Sequence, residues 1–196
     1  MHLVLFDFDG TLTRKDTFIE FIRFCKGSFT LFVGMTILSP ILILYKVGLI
    51  PNWRAKEIFF GFFFKGFSTQ EFQKKGREFA LSMVPSLIRA SVPKCISDYK
   101  AEGRRMVIVT ASAEEWIRDW ASPFGIEIIS TKWESVKDHL TGRISGKNCY
   151  GLEKAIRIQN EIDLSKYKTI IVYGDTSGDK EMLELGTTKF YKFFTD

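Results

Sequence analysis

The chain of 196 residues is 45% hydrophobic and 26% charged, an ordinary globular composition that excludes disordered, collagen-like and repeat proteins. Its three widely spaced cysteines fit no disulfide framework or zinc knuckle, and its two histidines are too few for a histidine-based metal site or a Ser-His-Asp triad. Residues 1–105 hold 16 Lys and Arg against 9 Asp and Glu, a net +7, whereas residues 106–196 hold 12 against 14, a net −2. We therefore expect phosphates or lipid headgroups as partners of the first half, with a solvated basic surface as the alternative.

Short apolar runs alternate with helical patterns along most of the chain. Strands are predicted at residues 2–6, 106–109, 126–130, 169–173 and 189–193, helices at 113–121, 151–161 and 179–185, and a β-hairpin at 132–147. This alternation indicates an α/β fold with a doubly wound parallel sheet. Ligands of such sheets bind beyond the carboxyl ends of the strands, and the side chains predicted there are Asp7, Asp9, Thr110 and Asp175.

Residues 15–89 interrupt this alternation and are predicted to form a helical cap inserted after the first strand, on a core of residues 1–14 and 90–196. Residues 27–45 contain no charged side chain, and this stretch is nearly as long as a bilayer-spanning helix. Pro40 would break such a helix. Basic residues flank this stretch and the phenylalanine-rich run at 58–67, a pattern typical of segments in a membrane interface. We predict that the cap contacts a membrane surface. The alternatives are a buried helical hairpin in a soluble cap, a dimer interface and a true bilayer span.

The residues at the strand ends suit phosphoryl chemistry. Asp7 and Asp9 repel each other unless a cation neutralises them, so the pair suits a divalent metal, or a nucleophile beside a general acid and base. Asp175 and Asp179 add two carboxylates on a glycine-containing turn, and oxygen ligands without histidine favour Mg²⁺ over Zn²⁺. Thr110, at the end of a strand and before a helix, indicates an anion site.

Each signal is weak by itself. Paired acids often lie on solvated loops, a Thr-Ala-Ser after a strand is often only a helix cap, and a lone lysine is usually a surface residue. Their joint occurrence at predicted strand ends favours an enzyme over a non-catalytic membrane-binding module.

Together these motifs resemble those of the haloacid dehalogenase superfamily. Residues 6–13 (Phe-Asp-Phe-Asp-Gly-Thr-Leu-Thr) are similar to its first motif, residues 107–112 to its second, Lys154 to its third, and residues 172–179 to its fourth. The helical insertion resembles the cap of the phosphoserine-phosphatase-like branch. Within that branch, the layout and the Gly-Leu-Glu-Lys run at 151–154 are similar to bacterial lipid phosphatases that act on phosphatidylglycerophosphate.

The resemblance implies a Mg²⁺-dependent phosphatase that forms an aspartyl phosphate. Asp7 is the expected nucleophile, and Asp9 the expected acid and base. Thr110 and Lys154 are expected to bind the phosphoryl group, and Lys154 is preferred over Lys147 because it follows a helix start rather than lying on the predicted hairpin. The expected metal ligands are Asp7, Asp9 (through its backbone carbonyl), Asp175 and Asp179, and the expected substrate-binding residues are Gly10, Thr11, Asp16, Ala111 and Ser112.

The resemblance also bears on the substrate. Asp16 lies where phosphoserine phosphatases carry a glutamate for the substrate amine, but no arginine for the substrate carboxylate is found near residues 59–64. A lipid phosphate is therefore favoured, at the cytoplasmic face of the inner membrane. A soluble small-metabolite phosphatase and a phosphotransferase are the alternatives. Nucleic acid is not an expected partner, because no binding motif is present, and the cysteines and the absence of a signal peptide predict a cytoplasmic protein.

Overall fold

The computed structural model describes residues 1–194 and contains a central parallel β-sheet. The strands in this part of the chain are β1 (His2–Phe6), β2 (Arg105–Thr110), β3 (Glu127–Ser130), β4 (Lys132–Val136), β5 (His139–Ser145), β6 (Thr169–Gly174) and β7 (Thr188–Tyr191). Five of them pair in parallel in the order β3-β2-β1-β6-β7, and β4 and β5 form a separate antiparallel hairpin. The α/β fold, the parallel sheet and the hairpin are thus as predicted.

Helices flank the sheet and also form the insertion. They are α1 (Thr17–Ile37), α2 (Ser39–Lys46), α3 (Asn52–Phe64), α4 (Thr69–Ser82), α5 (Val84–Leu87), α6 (Val92–Ala101), α7 (Arg118–Ala121), α8 (Leu152–Glu161) and α9 (Lys180–Leu183). The helix predicted at 113–121 is instead a 3₁₀ turn at Glu114–Trp116 followed by the single turn of α7. Helix α4 packs closely on this segment, since a Cβ at Gly76 would lie 2.4 Å from the backbone oxygen of Glu115. This tertiary packing overrides the helical pattern of the sequence.

The central strand β1 is buried on both faces, as expected for a parallel sheet between two layers. Leu3 and Leu5 pack against one layer, which includes Ile158 of α8. Val4 and Phe6 pack against the other, which continues into the aromatic core of the insertion. One apolar core therefore joins the insertion to the sheet.

The insertion leaves and rejoins the core at one point, because Thr13 and Ile88 form an antiparallel bridge. The β4–β5 hairpin holds the insertion from the other side. Glu57 of α3 accepts a hydrogen bond from the backbone N of Ile144 at 3.0 Å, and the rings of Phe60 and Trp133 stack 3.4 Å apart. These contacts fix α3 over the carboxyl end of the sheet.

The apolar segment of residues 27–45 is bent twice. Gly27 interrupts α1 with φ 82° and ψ 161°, and α1 ends at Ile37, before α2 begins with Pro40 in its first turn. No single helix of residues 1–194 is long and apolar enough to cross a bilayer; α1 and α2 meet those criteria only together, with a bend of 57° between them. The expected break near Pro40 is therefore present.

Candidate active site

A buried ion-pair network lies at the carboxyl end of β1. Asp7 directly follows this strand, and its backbone N donates to the carbonyl of Tyr173 on the neighbouring β6 at 2.9 Å. Lys154, in the first turn of α8, donates from Nζ to Asp7 Oδ1 at 2.5 Å and to Asp179 Oδ1 at 2.7 Å. Residues from three distant parts of the sequence thus meet, as the motif order predicts.

Burial and charge shift the pKa values of all three groups. Burial raises the pKa of Asp7 to about 7, against the lowering effect of the Lys154 ammonium. Burial opposes the charge of Lys154, but the two carboxylates outweigh it and raise the pKa of this lysine. Burial also opposes the charge of Asp179, whose pKa is nevertheless lowered by Lys154 and by backbone N–H donors. Lys154 therefore stays charged, whereas Asp7 is readily protonated without a further cation.

Three carboxylates converge at this end of the sheet. Ligand oxygens of Asp7, Asp175 and Asp179 lie within 4.8 Å of one another. The Thr11 hydroxyl joins two of them, donating to Asp7 Oδ2 at 3.0 Å and Asp175 Oδ1 at 3.1 Å. Burial raises the pKa of Asp175 as well, and the negative charge of Asp179 adds to this shift. A set of oxygen donors whose charges repel each other fits a bound Mg²⁺.

Gly10 makes room for this cluster. It has φ 85°, and a Cβ at this position would lie 2.3 Å from Asp175 Oδ2. Its carbonyl accepts from Arg89 Nη2 at 3.0 Å. Only glycine therefore lets the loop after β1 approach Asp175 so closely.

Asp179 differs from the other two acids in its hydrogen bonds. Its Oδ2 accepts from the backbone N atoms of Asp175 at 3.1 Å and Thr176 at 3.0 Å, while Oδ1 faces Lys154. Both oxygens thus have partners within the protein. This arrangement fits an acid that orients Lys154 and the loop carrying Asp175.

The carboxylate of Asp9 points away from the acidic cluster. Its Oδ1 accepts from the backbone N and the Oγ1 of Thr17, both at 2.6 Å, and its Oδ2 accepts from Ser112 Oγ at 2.5 Å. The sequence analysis did not single out Thr17, because a threonine in the first turn of a helix carries no catalytic signature. The structure assigns it to the position beside Asp9.

The end of β2 forms the opposite wall. Thr110 is fully buried, and its Oγ1 accepts from the backbone N of Ser112 at 3.0 Å. Thr110, Ala111 and Ser112 line the same cavity as Asp7, Asp9 and Lys154. The hydroxyls and the lysine predicted to bind a phosphoryl group therefore surround one space.

This cavity has a volume of about 320 Å³ and extends under the insertion. The side of the cavity formed by the insertion is mostly apolar, with Phe18, Ile19, Met35, Leu42, Tyr45 and Phe59. Its charged residues on that side are Asp16 and Lys56. Asp16 is solvent-exposed and caps α1 by accepting from the backbone N of Phe18 at 2.9 Å; partial desolvation of its carboxylate, with the charge of Asp9, raises its pKa to about 6.

Lys56 is the second residue that motif reasoning did not find. It lies on α3, and its Nζ donates to the carbonyl of Ala111 at 2.5 Å. Burial lowers its pKa, and the charges of Asp16 and Asp9 oppose this shift. Its only signal in the sequence is its position at the start of the phenylalanine-rich run, where the expected arginine is missing.

The sequence pattern described as haloacid dehalogenase-like hydrolase matches residues 4–184. The chain belongs to this family. Protein CicA of Caulobacter vibrioides (strain NA1000 / CB15N) is 36% identical over 194 residues, which is 98% of this chain and 86% of CicA. The family match confirms the predicted superfamily.

Several solved structures share the fold of this chain at low sequence identity. A protein of unknown function from Bordetella pertussis Tohama I has a TM-score of 0.82 at 22% identity, covering 96% of this chain and 88% of that one. A substrate-bound phosphoserine phosphatase has a TM-score of 0.70 at 15% identity, covering 96% and 84%. The chain is thus a hydrolase with a phosphatase-like fold, as predicted.

Proposed function

We propose that this haloacid dehalogenase-like hydrolase cleaves phosphate monoesters with Mg²⁺ and through an aspartyl phosphate. The observation that supports the proposal is the pairing of buried Lys154 with Asp7, next to Thr110 and beside a cluster of three carboxylates. Phosphoryl transfer depends on positioning and on neutralising charge, and these groups provide both. Asp7, Asp175 and the carbonyl of Asp9 would hold Mg²⁺, which would neutralise charge on the phosphoryl group.

The reaction has two steps. In the first, a carboxylate oxygen of Asp7 forms a bond to phosphorus while the ester P–O bond breaks, and Asp9 gives its proton to the departing alcohol oxygen. In the second, Asp9 takes a proton from water, whose oxygen attacks phosphorus and releases phosphate and the Asp7 carboxylate. Lys154 and Thr110 stabilise the charge on the phosphoryl oxygens, and Asp179 holds Lys154 in place.

We further propose that the substrate is a lipid phosphate such as phosphatidylglycerophosphate, handled at the cytoplasmic face of the inner membrane. The apolar side of the cavity supports this, because Phe18, Met35, Leu42 and Phe59 offer no partner for a small polar metabolite. Lys56 and Asp16 would then contact the polar group between the phosphate and the lipid tail. A soluble small-metabolite phosphatase and a phosphotransferase are the alternatives.

The test is phosphate release by the Asp7→Asn variant. We expect no turnover from a protein that still folds and unfolds in one cooperative transition, because Asn keeps the shape of Asp but cannot form the phosphoryl bond. Asp98→Asn, an exposed aspartate on α6, is the matched control and should retain full activity. Full activity of Asp7→Asn would refute the mechanism.

A second experiment addresses the substrate. Release rates are compared for phosphatidylglycerophosphate in vesicles and for soluble amino-acid and sugar phosphates. Faster release from the lipid supports the proposal, and equal rates on soluble esters favour the metabolite phosphatase. Added glycerol tests the phosphotransferase alternative, because a phosphotransferase would form glycerol phosphate in place of free phosphate.

A further inference from the structure

The outer side of α1 and α2 exposes apolar side chains to solvent. Eleven of the eighteen exposed large apolar side chains in residues 1–194 lie between residues 29 and 62. We call the outermost of these the apolar face, which comprises Phe29, Phe32, Ile37, Ile43, Val47 and Leu49. Phe29 is 80% exposed and Phe32 is 69% exposed. An exposed patch of this kind marks an interaction surface.

The apolar face lies in a segment whose charges are basic. Residues 21–56 contain five cations and no Asp or Glu. Arg23 and Arg54 pair with Glu20 and Glu57, and Lys56 reaches into the cavity, so Lys26 and Lys46 are the cations available near the apolar face. Exposed Lys46 lies in the last turn of α2, between Ile43 and Val47. A second copy of this chain would bring the same cations together, whereas an anionic bilayer complements both the charge and the apolar side chains.

The opposite side of the same two helices lines the active-site cavity. Met35 of α1 and Leu42 and Tyr45 of α2 lie in its wall, while Leu31 and Leu38 anchor the helices in the core. The apolar face and the cavity are thus separated by the thickness of one helix layer.

We propose that the apolar face docks on the surface of an anionic phospholipid bilayer and holds the active-site cavity one helix layer away from the lipid. Docking itself follows from the exposed face and its charge. The further claim that docking delivers substrate rests on the proposed function. Because Phe29 and Phe32 do not line the cavity, binding and hydrolysis can be measured separately.

The test is co-sedimentation of the full chain with vesicles in EDTA, without any phosphate monoester. The vesicles contain phosphatidylcholine alone or equal parts of phosphatidylcholine and phosphatidylglycerol. We expect binding to the anionic vesicles, weakened by salt, and about tenfold weaker binding of the Phe29→Ser/Phe32→Ser variant. The matched control is Leu81→Ser/Val136→Ser, at two exposed apolar positions outside the apolar face, and it should bind like the natural chain.

Each outcome separates docking from hydrolysis. Hydrolysis of a soluble ester should be unchanged in Phe29→Ser/Phe32→Ser, and vesicle binding should be unchanged in Asp7→Asn. Absence of binding to anionic vesicles, equal binding to both vesicle types, or an equal loss in the control overturns the docking proposal. So does a dimer in size exclusion that the Phe29→Ser/Phe32→Ser variant abolishes. Vesicle binding without phosphatase activity would instead refute the proposed function alone.

Discussion

Thr17 donates two hydrogen bonds to one oxygen of Asp9, from its backbone N and its Oγ1, both at 2.6 Å. Thr17 is the first residue of α1 and therefore belongs to the insertion, whereas Asp9 belongs to the loop after β1. Trp116 donates to the same hydroxyl from Nε1 at 3.1 Å, which fixes its direction. The insertion thus orients the proposed acid and base of the core.

Replacing Thr17 by Val should lower kcat with little change in KM. The variant loses the hydroxyl donor to a carboxylate, a contact whose loss costs about 1.5–3 kcal/mol, which corresponds to about 10- to 100-fold in rate. Thr17→Ser keeps the donor and should retain most activity. Steady-state kinetics against pH, with the basic and acidic limbs of the profile compared, is the measurement. An unchanged kcat and profile in Thr17→Val would exclude this positioning role.

The fold could be predicted because its strongest signals are local. The buried run His2–Phe6 and the run Thr169–Gly174 are apolar enough to form only central strands, and the structure has both. The segment after Thr110 could not be predicted as well. Its helical pattern is divided because Trp116 is drawn into the core beneath α1, which no local pattern encodes.

Gly10→Ala should weaken Mg²⁺ binding, and this loss of affinity should be larger than its loss of unfolding free energy explains. The new Cβ would meet Asp175 Oδ2 at 2.3 Å, so that carboxylate must move out of the cluster. Gly103→Ala is the matched control, because Gly103 also has positive φ, at 65°, but open space around its Cβ position. Both variants should lose about 1–2 kcal/mol of unfolding free energy. Only Gly10→Ala should lose Mg²⁺ affinity by calorimetry; equal affinities in both variants would contradict the assignment.

The candidate site, like the fold, contains some residues that the sequence predicts and others that it does not. Asp7, Asp175, Asp179 and Lys154 could be found because each follows a strand end or starts a helix in a recognisable motif. Thr17 and Lys56 could not, because they come from the insertion, whose helices bring them to the cavity only after tertiary packing. The roles assigned to all of these residues remain predictions for the experiments described.

Replacing Lys154 by Met should abolish activity and destabilise the metal-free protein. Two buried carboxylates, Asp7 and Asp179, would lose their shared cation, and removing one partner of a buried ion pair costs about 3–5 kcal/mol. Added Mg²⁺ should raise the melting temperature more than in the natural chain, since it supplies the missing charge. Lys147→Met is the control, because the Lys147 side chain is 77% exposed. Loss of activity in Lys147→Met instead would reverse the choice between these lysines.

The stability of the metal-free protein should fall as pH rises from about 4 to about 7. Asp7 has a pKa of about 7 in the folded protein and an ordinary value of 3.8, so within this range the folded state binds a proton that the unfolded chain releases. Asp179 does not contribute to the change of stability in this pH range, because its pKa is lowered.

Denaturant unfolding in EDTA, in steps of about one pH unit from roughly pH 4 to roughly pH 8, measures this slope. Mg²⁺ should flatten it, because a cation on the Asp7 carboxylate replaces the proton. Asp7→Asn should remove the part of the slope that lies near pH 7. Asp16→Asn is the control for another carboxyl group with a raised pKa, about 6, and should remove only a more acidic part of the slope. A metal-free stability that rises with pH, or a slope unchanged in Asp7→Asn, would show that Asp7 is ionised in the folded protein without a metal.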